Sequence, residues 1–149
     1  GHFETAADII EPLAESIVRM REVRLLQQWL DAIPEPVILA RPVLLLYKAL
    51  LLADDAAFGK LNSYLDRIEK VLSTFRQKQS GLPPLIAEPL YRGRILALQG
   101  LLACARFHFE EARRLAEKAL ALMEGQTCAF TLLALSLKGF TYYIDGELQ

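Results

Sequence analysis

A chain of 149 residues is long enough for one well-buried domain and short for two. With 53% hydrophobic residues and ordinary numbers of Pro (7) and Gly (8), it reads as a packed protein and not a disordered one. Its 17 Lys and Arg nearly cancel 18 Asp and Glu, so the basic excess of a phosphate-gripping surface is missing and direct nucleic-acid binding is not expected.

Gly1-His2 reads as a scar of expression, and residues 3–149 as one helical-repeat domain cut at both ends from a longer chain. The first helical stretch runs from about Thr5 to Arg21, where Thr5 followed by Asp8 resembles a capping box and Pro12 should start or kink part of it. A second, Glu22 to Ile33, carries Val23, Leu26, Leu30 and Ile33 on one face and ends at Pro34-Glu35-Pro36. Arg41-Pro42 opens a third, with Pro42 suited to a first turn. The fourth covers about Ala57 to Gln77, and Ser80-Gly81-Leu82-Pro83-Pro84 is a clear loop signal. A fifth stretch, its start limited by Pro89, continues to Arg106. The sixth spans Phe109 to Met123 and the seventh Thr127 to Asp145. Nothing alternates with period two, so no strand is expected.

Two kinds of helix take turns. The fourth is striped, with Phe58, Leu61, Leu65, Ile68 and Leu72 on one face, and the sixth repeats this with Phe109, Ala112, Ala116, Ala119, Leu120 and Met123. The helices before them, from Pro42 to Leu52 and from Ile95 to Ala105, are apolar nearly all round and must be covered on several sides. Stacked antiparallel helical hairpins achieve that, whereas a four-helix bundle would stripe every helix alike. The expected fold class is all-α, a segment of about seven helices in an α-solenoid.

Residues 100–122 resemble a tetratricopeptide repeat. Gly100 takes the small position of the first helix, Phe109 the aromatic opening the second, and Ala112, Ala119 and Leu120 the small-small-large face. Gly139, Tyr142, Tyr143 and the turn glycine Gly146 read as another first helix; Ala49, Phe58, Leu61, Leu65 and Ile68 form a looser copy. The string Leu26-Gln27-Gln28-Trp29-Leu30-Asp31-Ala32-Ile33-Pro34, then Ala40-Arg41-Pro42-Val43-Leu44, resembles the helical region of MalT-like transcriptional regulators of the LuxR type. Departures exist: Gln99 stands where leucine is usual, Leu61 replaces a small alanine and Glu124 a helix-ending proline. The resemblance implies a bacterial, cytoplasmic parent with an ATP-binding module, a helical-repeat sensor arm and a DNA-binding helix-turn-helix, the first and last outside this chain.

No enzyme chemistry or cofactor site is legible. Gly59-Lys60 lacks the upstream glycine of a phosphate-binding loop. His108, in the turn Phe107-His108-Phe109, has no nucleophile beside it and reads as turn packing or a cap. Glu110-Glu111 open a helix, where the dipole favours acids, and Asp54-Asp55 lack calcium-loop spacing. Cys104 and Cys128 carry no metal or disulfide motif and read as small buried hydrophobes, and Trp29 as a core anchor. No apolar run reaches the ~18–20 residues of a membrane span.

In a tetratricopeptide-like stack the first helices line a concave groove. On this alignment its first part draws on Tyr47, Leu50, Arg94 and Ala97; Leu101, Cys104, Ser136, Phe140 and Tyr143 complete it. Such a groove suits a protein or peptide partner, another domain of the parent, or a small effector. Packing between repeats is an equal alternative for the aliphatic members. Exposed Leu132, Leu135, Phe140 and Tyr143 on the last helix would invite self-association. The function expected first is a sensor and interaction segment of a regulator; the alternative is a general helical-repeat scaffold unrelated to transcription.

Overall fold

The computed structural model describes residues 2–77 and 88–148. Every element among them is a helix: α1 (His2–Arg19), α2 (Val23–Asp31), α3 (Glu35–Leu39), α4 (Pro42–Asp54), α5 (Phe58–Gln77), α6 (Glu88–Ala105), α7 (Phe109–Leu122) and α8 (Ala129–Leu148). The element beyond the expected seven is α3, which forms where the proline string suggests only a stop. Proline lacks a donor that a first helical turn leaves unbonded anyway, so Pro36 suits the start of a new helix as well as the end of an old one. Pro42 opens α4 in the same way, as expected.

The start of the chain departs from its sequence signals. α1 begins at His2, which places Thr5 inside the helix and not at a cap, and it runs through Pro12. Pro12 is exposed, on the side away from the buried stripe Ala7, Ile10, Ala14 and Ile17, so packing of that stripe carries the helix past one lost hydrogen bond. The Ser80–Pro84 loop signal lies outside the described residues.

The chain divides into two compact units, Gly1–Gly81 and Leu82–Gln149. In the first, α1 and α4 run parallel: Arg41 Nη1 meets Glu11 at 3.0 Å, and one turn on the Tyr47 hydroxyl donates to Glu15 at 2.6 Å. α2 lies antiparallel to α4, pairing Asp31 with Lys48 at 2.8 Å and Gln27 with Asp55 at 3.1 Å. The second unit repeats these directions. α6 and α7 are antiparallel, Gly93 lying against Ala119 and Met123 and Gly100 against Ala112 and Leu115. α8 runs parallel to α6, Phe130 facing Arg94 and Leu137 facing Gly100.

Three turns share one construction. Arg21 (φ 61°), Ala56 (φ 56°) and Phe107 (φ 64°) are left-handed residues two positions after the ends of α1, α4 and α6. Each turn closes with a six-to-one bond from the following residue, Glu22 to Ile17, Ala57 to Leu52 and His108 to Ala103. Each also has a five-to-two bond, Arg21 to Val18, Ala56 to Ala53 and Phe107 to Cys104. This is the Schellman arrangement, built without glycine in all three places.

Counting from those residues superimposes the three hairpins. Seven positions before stand Ala14, Ala49 and Gly100; five after stand Leu26, Leu61 and Ala112. Nine after come Leu30, Leu65 and Ala116, and twelve after Ile33, Ile68 and Ala119. All twelve are buried. The small-residue contact expected at Gly100 is present, because an added Cβ would meet Leu137 at 3.3 Å and the Ala112 carbonyl at 3.4 Å. A tighter approach lies at Gly93, where that atom would stand 2.6 Å from Met123 Cγ and 3.2 Å from the Ala119 carbonyl. Gly146, expected as the turn of a further hairpin, instead lies inside α8. No described element packs where a Cβ on Gly146 would stand, so the helix keeps its own ladder there.

Candidate interaction surface

α8 exposes a broad apolar face. Phe130, Ala134, Leu137 and Thr141 are buried, while Leu132, Leu135, Phe140, Tyr142 and Tyr143 are 45–63% exposed. Two ties to α7 hold this face in place. Arg113 lies 4.1 Å from the Tyr142 ring centre, donates to the Thr141 carbonyl at 2.9 Å and approaches Asp145 at 3.5 Å. The Tyr142 hydroxyl donates to Glu117 at 3.0 Å; that bond, then the carboxylate's charge, raises its pKa above the ordinary 10.0. On the other flank Phe140 stacks edge-on against Phe109 (6.0 Å), which does the same with Phe107 (6.1 Å). Phe107 is itself 79% exposed at the hairpin tip.

The sequence-expected groove residues separate into three groups. Ser136, Phe140 and Tyr143 are exposed on α8. Leu50, Arg94, Leu101 and Cys104 are half-buried. The Arg94 guanidinium sits 5.6 Å from the Phe130 ring centre, with its Nε buried and without a hydrogen-bond partner, and burial raises the Cys104 thiol's pKa. Tyr47 and Ala97 are buried, at 2% and 0% exposure. Tyr47 spends its hydroxyl on Glu15, and Ala97 lies on the side of α6 that packing fills. Within the second unit Arg94 and the exposed α8 residues belong to parallel neighbouring helices; Tyr47 and Leu50 belong to the first unit.

The sequence reading passed over two features of the first unit. A groove of about 420 Å³ between α1 and α2 is lined by Phe3, Ile9, Ile10, Trp29 and Ile33. Trp29 is half-buried there and not a closed core anchor; its place between two buried leucine turns hid this. Arg41 fastens α1 to α4 by bonding Asp8 (2.7 Å), Glu11 (3.0 Å) and the Glu4 carbonyl (3.2 Å). Burial works against its charge, yet the two carboxylates outweigh that and raise its pKa. His108 occupies the residue before α7 but makes no side-chain cap bond; backbone bonds close the turn, beside the Phe107–Phe109 ring contact.

Among the described residues no helix is long and apolar enough to cross a membrane. Fold and surface together define an all-helical protein of repeated hairpins with an exposed aromatic face. Over 95% of its length the chain is similar to the HTH-type transcriptional regulator MalT of Yersinia enterocolitica serotype O:8 / biotype 1B, with 27% identity over 142 residues. The MalT regulators of Yersinia pestis (strain Pestoides F) and Yersinia pseudotuberculosis serotype IB are 26% identical over 141 residues. The chain spans 15% of the length of each of these relatives. No family model matches the chain, and no solved structure gives a significant match.

Proposed function

We propose that this chain is the helical-repeat sensor and interaction segment of a MalT-like, LuxR-type transcriptional regulator. Its hairpins stack as a tetratricopeptide-like solenoid, bind an effector or a protein partner, and relay that event to ATPase and DNA-binding domains outside these residues. The likeness to MalT regulators over 95% of the chain carries this reading. The hairpin register, recurring three times around Arg21, Ala56 and Phe107, supports the repeat architecture. Ligand contact falls to Phe140, Tyr143 and Ser136, with Arg94, Leu101 and Cys104 behind them, and binding biases the parent between resting and active assemblies. The segment acts by binding and not by catalysis.

A thermal-shift screen of sugars, nucleotides and helical peptides tests the proposal, run on this chain and on a longer one with its flanking regions. At least one class should raise Tm, and the double variant F140A/Y143A should abolish the gain. No ligand-dependent shift in either protein, or a shift untouched by the double variant, would overturn the binding role. The second reading, a scaffold without a transcriptional parent, would be favoured if the flanking sequence held neither a phosphate-binding loop nor a helix-turn-helix.

A further inference from the structure

The stripe that α7 covers on α6 has an open counterpart on α8. Relative to Phe107, α6 meets its second helix at Gly93 and Gly100, and Leu96 and Ala103 fall in the same stripe; all four are buried. The same positions counted from Gly146 are Leu132, Leu135, Gly139 and Tyr142. In α1 the equivalents Ala7, Ile10, Ala14 and Ile17 are buried, and in α4 so are Pro42, Leu45 and Ala49, with Leu52 half-buried. On α8 the three large members are instead 56%, 51% and 51% exposed, and a Cβ added to Gly139 would meet nothing within 4 Å.

We propose that this α8 stripe is a docking groove for one amphipathic helix of the α5 and α7 kind, carried by a polypeptide segment outside these residues. The helix lies antiparallel to α8 with its closest approach at Gly139. The internal repetition says what covers such a stripe: a helix with apolar residues at i, i+4, i+7 and i+11, as in Leu61, Leu65, Ile68 and Leu72 or in Ala112, Ala116, Ala119 and Met123. Because Leu132 stands where α6 has Gly93, the occupant needs a small residue opposite it.

Charge agrees with this orientation. Asp145 and Glu147 are exposed in the last turn of α8, which holds no basic residue of its own; Arg113 of α7 approaches Asp145 at 3.5 Å, and Glu147 stays at the negative end of its own helix dipole. An antiparallel helix brings its positive N-terminus to that place and offsets the mismatch. A second copy of this chain is disfavoured as the source, because α2, α5 and α7 already bury their stripes against their own first helices. The inference rests on the stacked-hairpin part of the proposed function and needs no effector, so an empty ligand screen would leave it standing.

The probe is a fluorescent, acetylated and amidated peptide of residues 108–124, whose Ala, Leu, Glu and Lys content favours the helix. Fluorescence anisotropy should show saturable binding to the chain, weakened at least about tenfold by Gly139→Leu. That variant should keep the parent's circular dichroism and lose no Tm, gaining slightly from helix propensity, and Gly59→Leu, equally open in the structure, should bind as the parent does. The same segment tethered behind Gln149 removes any dependence on peptide affinity, and should raise Tm in the parent but not in Gly139→Leu. No Tm gain from the tethered helix, or a gain that survives Gly139→Leu, would overturn the proposal.

Discussion

The hairpins α4–α5 and α6–α7 use the same register with different side chains. In α4–α5, Leu61, Leu65, Ile68 and Leu72 face a helix whose small residue is Ala49, so large side chains fill the space between the axes. In α6–α7 the corresponding residues are Ala112, Ala116, Ala119 and Met123, and Gly93 and Gly100 let the α7 backbone come close. The left-handed turn and the stripe therefore set which residues meet, while side-chain volume sets how near the helices lie. The surfaces differ accordingly. Ionic ties cross the helices of the first unit from Arg41 to Asp8 and Glu11, Lys48 to Asp31 and Arg67 to Glu35, and those of the second from Arg113 to Asp145.

Exchanging side-chain size between the two hairpins should fail in both directions. Leu61→Ala empties a fully buried site and should cost about 2–5 kcal/mol in urea unfolding, and a cost under about 1 kcal/mol would mean α5 collapses onto α4 freely. Gly93→Leu drives a side chain into Met123 and the Ala119 carbonyl and should cost about 3 kcal/mol. Gly100→Leu, with looser neighbours, should cost about 1–3 kcal/mol, and an unchanged Tm would disprove the repeat register. Arg41→Ala should cost about 1 kcal/mol, since Asp8 is largely exposed and solvent screens that half of the tie; the loss should shrink in high salt. Gly139→Ala inverts the glycine pattern of α6: with nothing near its Cβ it should stabilise by up to about 1 kcal/mol through helix propensity alone.

Much of the architecture was legible because striping is a packing signal. Phe58 to Leu72 and Phe109 to Met123 place α5 and α7 nearly to the residue, and the all-round apolar runs identify α4 and α6 as helices covered on several sides. The start of α1 was not legible, because a Thr5 cap and Pro12 are local signals that the buried stripe of the folded helix overrides. The turns were hidden for a related reason. Arg21, Ala56 and Phe107 are not residues that advertise a left-handed conformation, so the register was visible only partly, through Ala49, Gly100 and Gly139. The α1–α2 copy went unseen because Leu26, Leu30 and Ile33 stand in the MalT-like string and not in a tetratricopeptide pattern, and Ala14 does not stand out in its helix. For the surface, the exposed α8 residues followed from periodicity. Tyr47 and Ala97 did not, because an all-round apolar helix gives no hint of which side faces solvent.

The shared turn is the feature from which the register and the two readings of α8 follow, and glycine tests it most directly. Arg21→Gly, Ala56→Gly and Phe107→Gly should each raise the free energy of unfolding by about 1 kcal/mol, because glycine removes the left-handed penalty at an exposed site. The sign is the decisive readout, since alanine-to-glycine changes ordinarily destabilise helical proteins. The account predicts a gain at all three positions, roughly additive in the triple variant. A loss of stability at any one of them would contradict it.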